Sequence, residues 1–524
     1  MKFFHLFLCS KFKIIYLKSL PEGNEPKLSP MSPTASTPPG TASSQAAVGE
    51  NDNLSRIFSL DVLRGIALLG ILVVSIWQFA GFSSNQQLFY QTGTHGGNYK
   101  LLTAISMLFE GKMLSLFALV FGAGIILFLH KKEYPVQITP ADAYIRRQIW
   151  LIIFGVFNAF ILLWPGDILF SFGVVGILVF AFTRMKPKGF FIAAIVCTLI
   201  YCGKQYWNYT DDKKDYKKYL AVMQVENKIK QDSATRAKKD SVYKTDSILF
   251  KDSITSKKLT DSIAKKNDTL SKKQAGEKDV WEGRVKGLKY DSSKTKAENK
   301  LMRSSWNKVA YAMMSRSQQK ESSWLYRIGL WDIASMMFLG MALLGIGFFQ
   351  NRLSGINYFL IGILLTAIGL ALAYFRVHYN NIRLADYAKY LENHALPYDQ
   401  FFPVERILLA TGYASLIIWL MQIKIFHWLW RALAATGRMA FTNYIMQSVI
   451  CGFFFYGYGF GYFGRLSQCE LYFMVAEIAL VQVVFSVFWL RYYIMGPVEW
   501  LWRCLIYRKW LPIKKSSTQT ILSS

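Results

Sequence analysis

Eight side chains of this sequence stand in or beside long apolar runs, where their chemistry carries weight. Asp61 and Arg64 lie three residues apart in "SLDVLRGIALLGILVVSIW", on one helical face. Asp167 follows the Pro165–Gly166 pair in "LLWPGDILFSFG". Arg438, Asn443 and Gln447 belong to "GRMAFTNYIMQS", and Glu499 and Arg503 to "MGPVEWLWRCLIYRKWLP". Ionisable groups within apolar spans are costly and mark a functional pathway or a structural pair. Guanidinium groups suit phosphate, and a carboxylate held near a hydroxyl or amine can accept its proton.

Each group also has a plainer role. Asp61 at a helix start meets the favourable end of the dipole, and Arg64 can extend to the membrane surface. Asp167 can cap the helix that follows the turn. Asn443 and Gln447 are one turn apart, with Ala440, Tyr444 and Cys451 flanking them. Such a stripe faces other helices, where each amide contributes on the order of 1 kcal/mol of interhelical hydrogen bonding. Glu499 and Arg503 have the spacing of a helical ion pair.

The elements that must position these groups are apolar blocks at about 60–80, 107–129, 147–164, 167–184, 189–203, 328–349, 355–375, 404–421, 439–459 and 471–492. Most have the roughly 17–25 residues that a helix needs to cross a bilayer core. They are continuously apolar rather than alternating, which excludes a transmembrane β-barrel. The expected fold is therefore all-α, a polytopic transmembrane bundle of about ten helices. The aromatic "GPVEWLWR" stretch predicts a short interfacial helix beyond the last span.

A net charge of +28 raises the question of nucleic acid, but its distribution argues against that partner. Between Lys204 and Lys320, 29 Lys/Arg face 15 Asp/Glu, and much of the rest lies at alternate block ends. That alternation predicts both termini on the cytoplasmic side, with Arg64, Arg438 and Arg503 near that surface. The sequence divides into a tail (1–55), spans 1–5 (56–203), a basic extracytoplasmic insert (204–325), spans 6–10 (326–495) and an interfacial helix with a cytoplasmic tail (496–524). The tail has too little apolar surface to fold, and translation from Met31 is one expectation. The insert reads as a solvated spacer, with a weak amphipathic stretch at 248–270. Its basic surface suits anionic lipid or glycan. Six cysteines form no CxxC pair, and six histidines show no ligand spacing, so no metal site is expected.

The motifs "SLDVLRGIALLGILVVSI", "GKMLSLFALVFGAGI", "WPGDILFSFGVVGIL", "GRMAFTNYIMQSVI" and "GPVEWLWR" occur in this order. Together they resemble the YeiB-like family of bacterial multi-pass inner-membrane proteins, whose C-terminal part is a domain of unknown function. The resemblance covers roughly 56–203 and 324–512. The family is distantly similar to membrane acyltransferases, which implies acyl-CoA as donor and a cell-envelope glycan or lipid as acceptor. No other cofactor is implied. Relatives often place a histidine before the GDIL turn, where this chain has Asn158. An amide cannot act as a base, so the resemblance leaves the proton acceptor open. His95, in "TGTHGGNY", is one alternative. Two other readings stand beside acyl transfer: transport of a small solute or lipid along the polar seams, and a noncatalytic partner displaying the basic insert.

Overall fold

The computed structural model describes residues 57–81, 96–130, 138–246 and 270–515. The described residues are helical with no strand; Tyr493 and Lys514 form an isolated bridge. The fold is all-α, as expected. In order, the helices are α1 (Phe58–Phe79), α2 (Gly97–Leu108), α3 (Lys112–Leu129), α4 (Pro140–Phe160), α5 (Leu169–Phe180) and α6 (Pro187–Asp246). Then come α7 (Lys272–Leu288), α8 (Ser292–Met302), α9 (Trp306–Gln319), a π-helical segment (Lys320–Gly329) and α10 (Leu330–Gly345). The rest are α11 (Gly355–Ala385), α12 (Tyr387–Asn393), α13 (Phe402–Gln422), α14 (His427–Arg438), α15 (Ala440–Phe455), α16 (Gln468–Tyr492) and α17 (Pro497–Tyr507).

Seven helical stretches are long and apolar enough to cross a membrane: α1, Gly97–Leu129, Pro187–Arg236, Trp306–Gly345, α11, α13 and α16. The three other expected spans are α4, α5 and α15. α4 carries Asp142, Arg146 and Arg147 near its start. The 12 residues of α5 and the 16 of α15 rise only about 18 and about 24 Å, short of a ~30 Å core. α5 is short because its first turn packs at Gly155, within α4: a Cβ there would lie 2.3 Å from Phe170 N. The turn between them therefore enters the bundle instead of passing over it.

Backbone approach between helices depends on a few glycines. A Cβ at Gly122 of α3 would lie 2.1 Å from Met337 O, and one at Gly340 of α10 would lie 1.8 Å from Leu119 O. These small residues allow the close α3–α10 crossing. Gly437 of α14 meets Asp61 and Gly65 of α1 in the same way. The stretch 422–438, between the apolar blocks at 404–421 and 439–459, is thus mainly the amphipathic helix α14, bound to α1 through Val62, Trp430 and Ala434.

The described part of the insert is folded, which corrects its reading as a solvated spacer. α6 passes residue 203 without a break, and α9 runs through the π segment into α10 across residue 325. α6 and α7 pack on α12 through Tyr209, Tyr216, Trp281, Tyr387 and Tyr390. The Trp281 and Tyr387 rings stack with centroids 5.4 Å apart. Arg284 bridges Asp212 and Asp215, and Lys278 bonds Glu226 at 2.6 Å. Nearly all of the expected amphipathic stretch, His95 and the whole N-terminal tail lie outside the described residues.

Candidate functional site

The turn between α4 and α5 holds the most concentrated chemistry of the eight candidates. Asp167 is buried and accepts three hydrogen bonds: from Asn158 Nδ2 at 2.8 Å, Phe170 N at 2.9 Å and Tyr444 OH at 3.4 Å. The Phe170 bond is the helix cap expected from sequence. The other two tie the turn to α4 and α15. Tyr444 OH in turn accepts from Trp164 Nε1 and Ile168 N, both at 3.1 Å.

This turn is held against its own preference. Leu163 has φ of 59°, the left-handed region that costs a β-carbon residue on the order of 1 kcal/mol. Its carbonyl accepts from Tyr456 OH, and the neighbouring Trp164 ring stacks on Phe79 with centroids 3.8 Å apart. The backbone is thus over-determined from α1 and α15. One buried atom is left over: Asn158 Oδ1 accepts no hydrogen bond among the described residues.

The π segment reaches the same place. Ser317 Oγ, at the end of α9, donates to Ala159 O at 3.2 Å. One turn onward, Lys320 and Glu321 stand within electrostatic reach of Asp167. Glu321 Oε1 is buried and also has no hydrogen-bond partner among the described residues. π turns insert an extra residue into a helix and recur at functional sites. Here the extra residue falls where the insert enters the bundle.

Asn443 and Gln447 point inward, with 0% and 3% exposure. Asn443 Nδ2 donates to Ser486 Oγ at 2.8 Å, Gln447 Nε2 to Gln482 Oε1 at 3.0 Å, and Gln482 Nε2 to Asn443 O at 2.7 Å. These amides join α15 to α16. They work mainly as interhelical fasteners, one turn apart on the side of α15 that meets α16.

Glu499 has a different partner from the one its spacing suggests. Its carboxylate accepts from Phe441 N at 2.7 Å and Thr442 N at 3.1 Å, and it also bonds Thr442 Oγ1. It therefore caps α15 from α17, satisfying N–H groups that the first turn leaves open. Arg438 ends α14, the favourable end for a cation, and donates to Ile494 O at 3.0 Å.

Arg64 pairs with Asp61 at 3.1 Å and faces α3, where a Cβ at Gly124 would lie 3.8 Å from its Nη2. Beside it stands Arg147 of α4, the first residue of the 147–164 block. Its guanidinium lies over the rings of Phe121, Phe128 and Trp502, at 5.3, 5.1 and 5.1 Å. The charges of Arg64 and Arg503 both reach it. The structure thus gathers Arg64, Arg147 and Arg503 at one end of the bundle, with Arg438 on the adjoining α14–α17 side.

A second buried assembly joins four helices elsewhere in the bundle. Lys112 meets Glu405 at 2.6 Å; Arg376 meets Glu405 at 2.9 Å and Glu110 at 3.4 Å; Arg406 meets Asp332 at 2.5 Å. Lys112 Nζ and Arg376 Nη2 also donate to Ser106 O. Three cations balance three anions; five of the six are buried, and Glu110 lies at the exposed edge of the network. Glu110 and Lys112, two residues apart, join the same network through different partners. Arg376, Glu405, Arg406 and Asp332 sit at or near block edges in the sequence, where local pattern assigns them no partner.

The fold and these sites define a multi-pass helical membrane protein with buried polar centres. Residues 346–509 match the family profile described as a protein of unknown function, DUF418. The chain is 26% identical to "Uncharacterized protein YxaH" of Bacillus subtilis (strain 168), across 88% of this chain and 97% of that protein. It is 27% identical to "Uncharacterized protein YeiB" of Escherichia coli (strain K12), across 87% of this chain and 97% of that protein. No solved structure matches it. Over most of its length the chain is thus similar to YeiB-like proteins.

Proposed function

We propose that the protein transfers an acyl group from acyl-CoA, bound at the Arg64–Arg147–Arg503 end, to an acceptor meeting Asp167 within the bundle. The reading is carried by one relationship. Arg147 and Asn158 are eleven residues apart on α4, which places them on one face and separates them axially by about 16 Å. That span is comparable to an extended phosphopantetheine arm. A donor phosphate at the arginines would thus deliver its thioester to the turn. Guanidinium groups hold phosphate by charge-assisted bonds. Asp167 takes the proton from the acceptor while Asn158 and Phe170 N fix its oxygens, which supplies the acceptor that Asn158 itself cannot be. The acceptor oxygen or nitrogen bonds to the acyl carbon, the C–S bond breaks, and the thiol leaves with a proton.

In this reading the arginine end faces the cytoplasm, the chain resides in the inner membrane with both termini cytoplasmic, and the acceptor belongs to the cell envelope. Basic residues at alternate block ends support that orientation. The test uses purified full-length protein in nanodiscs with acetyl-CoA. Arg147→Ala is expected to lose donor binding and Arg147→Lys to retain part of it, while Asp167→Asn binds the donor but gives no turnover. Equal binding by wild type and Arg147→Ala, with unchanged melting, sinks the reading.

Transport is the second reading, favoured by the six-charge network, since intramembrane ionisable groups commonly line ion or solute paths. It predicts solute flux in proteoliposomes without any acyl donor, abolished in Glu405→Gln.

A further inference from the structure

We propose that the π segment supplies the recognition half of the Asp167 site, where Glu321 and Lys320, with Asn158, bind the hydroxyl groups of a sugar ring. The inference rests on the acyl-transfer reading for what happens next, but not for binding itself. Two buried oxygens, Asn158 Oδ1 and Glu321 Oε1, have no donor among the described residues. Asn158 is fully buried, so its open acceptor is not a surface feature. Burying an acceptor without a partner costs on the order of 1–3 kcal/mol, which a bound donor group relieves.

The neighbouring groups narrow the ligand class. Asp167 and Glu321 accept hydrogen bonds when ionised, whereas Lys320 only donates. Of the groups that an acyl acceptor offers, a hydroxyl both donates and accepts, so vicinal hydroxyls can satisfy acids and lysine together. An ammonium would meet the carboxylates but be repelled by Lys320. Trp324, whose ring lies 5.3 Å from Lys320 Nζ, adds an aromatic face of the kind that packs on a pyranose ring.

The geometry also gives the insert a purpose. Ser317 pins the end of α9 to Ala159, the residue beside Asn158. The continuous α9–π–α10 helix then carries Lys320 and Glu321 down onto the turn. Acceptor recognition is thus coupled to the folded insert, which packs on α12 through Trp281 and Tyr387.

Full-length protein in nanodiscs, without acyl donor, is mixed with methyl β-glucopyranoside, methyl β-galactopyranoside or n-butylamine and read by saturation-transfer NMR. Glycoside ring protons are expected to saturate. Glu321→Ala should weaken binding about tenfold, the loss of one charge-assisted hydrogen bond, and Glu321→Gln by less. Lys218→Gln, which removes only the α6 pair with Asp215, should bind as wild type. The proposal is overturned if neither glycoside binds, if butylamine alone binds, or if Glu321→Ala binds equally with unchanged melting. Because acetyl-CoA binding is measured separately, a silent glycoside with intact donor binding rejects this inference alone. Glycoside binding without donor binding rejects acyl transfer alone.

Discussion

Asn158 Nδ2 donates to Asp167 Oδ1 at 2.8 Å, closing the strained turn that brings α5 back beside α4. The same oxygen accepts from Tyr444, whose hydroxyl also receives Trp164 Nε1 and Ile168 N. Tyr444→Phe keeps the ring but leaves those two donors without their acceptor. It should cost about 2–5 kcal/mol, because buried donors lose their partner and gain no water. Thermal melting in nanodiscs checks this, and an unchanged midpoint would show that the hydroxyl does not fasten the turn.

The Arg406–Asp332 pair should behave as a buried ion pair does. Arg406→Met strands Asp332 and is expected to cost about 3–5 kcal/mol. Adding Asp332→Leu removes the stranded charge, and the double variant should recover more than half of the loss. A double-mutant cycle on melting free energies measures the difference. Additive losses would mean that the two groups are stabilised by other neighbours.

Glu499→Ala removes the cap of α15 without touching the amide seam. The expected cost is about 1–2 kcal/mol, the usual value of a helix N-cap. Faster amide exchange should be confined to Phe441, Thr442 and the first turn of α15. Exchange spread along α16 as well would assign Glu499 a wider role.

The contact between α6 and α7 has a definite acid limit. Hydrogen bonds from Lys230 first and Lys278 second hold the Glu226 carboxyl well below its ordinary range, at about 2. A depressed carboxyl stabilises the contact above its unfolded value and loses that contribution as pH falls through the folded one. The contact should therefore persist at about pH 4 and loosen only toward about pH 2. In Lys278→Gln the loosening should begin nearer the ordinary carboxyl value. Carbon-13 titration of the Glu226 carboxyl follows both.

Several features were legible from local pattern alone. Continuous apolar blocks gave the all-α membrane class, and one-turn spacing placed Asn443 and Gln447 on an inward stripe, where both are buried. The Pro165–Gly166–Asp167 run marked a turn with a capping carboxylate, and Asp167 does bond Phe170 N. Less legible were α14, a short amphipathic helix in a basic stretch, and the insert, whose aromatics are scattered among lysines. Their apolar faces have a partner only once α1 and α12 lie opposite them.

Helical periodicity states which side chains share a face, because that depends on a fixed rotation per residue. It is silent on which helix lies across from that face. Lys112 and Glu405, Asp167 and Tyr444, and Arg147 and Trp502 are brought together by helix crossings between distant parts of the chain. So the sequence by itself determined the long apolar helices and the inward direction of the Asn443–Gln447 stripe. Only the tertiary structure decided the partners, because opposite charges and hydrogen-bonding groups are matched across helices, where spacing along the chain carries no information.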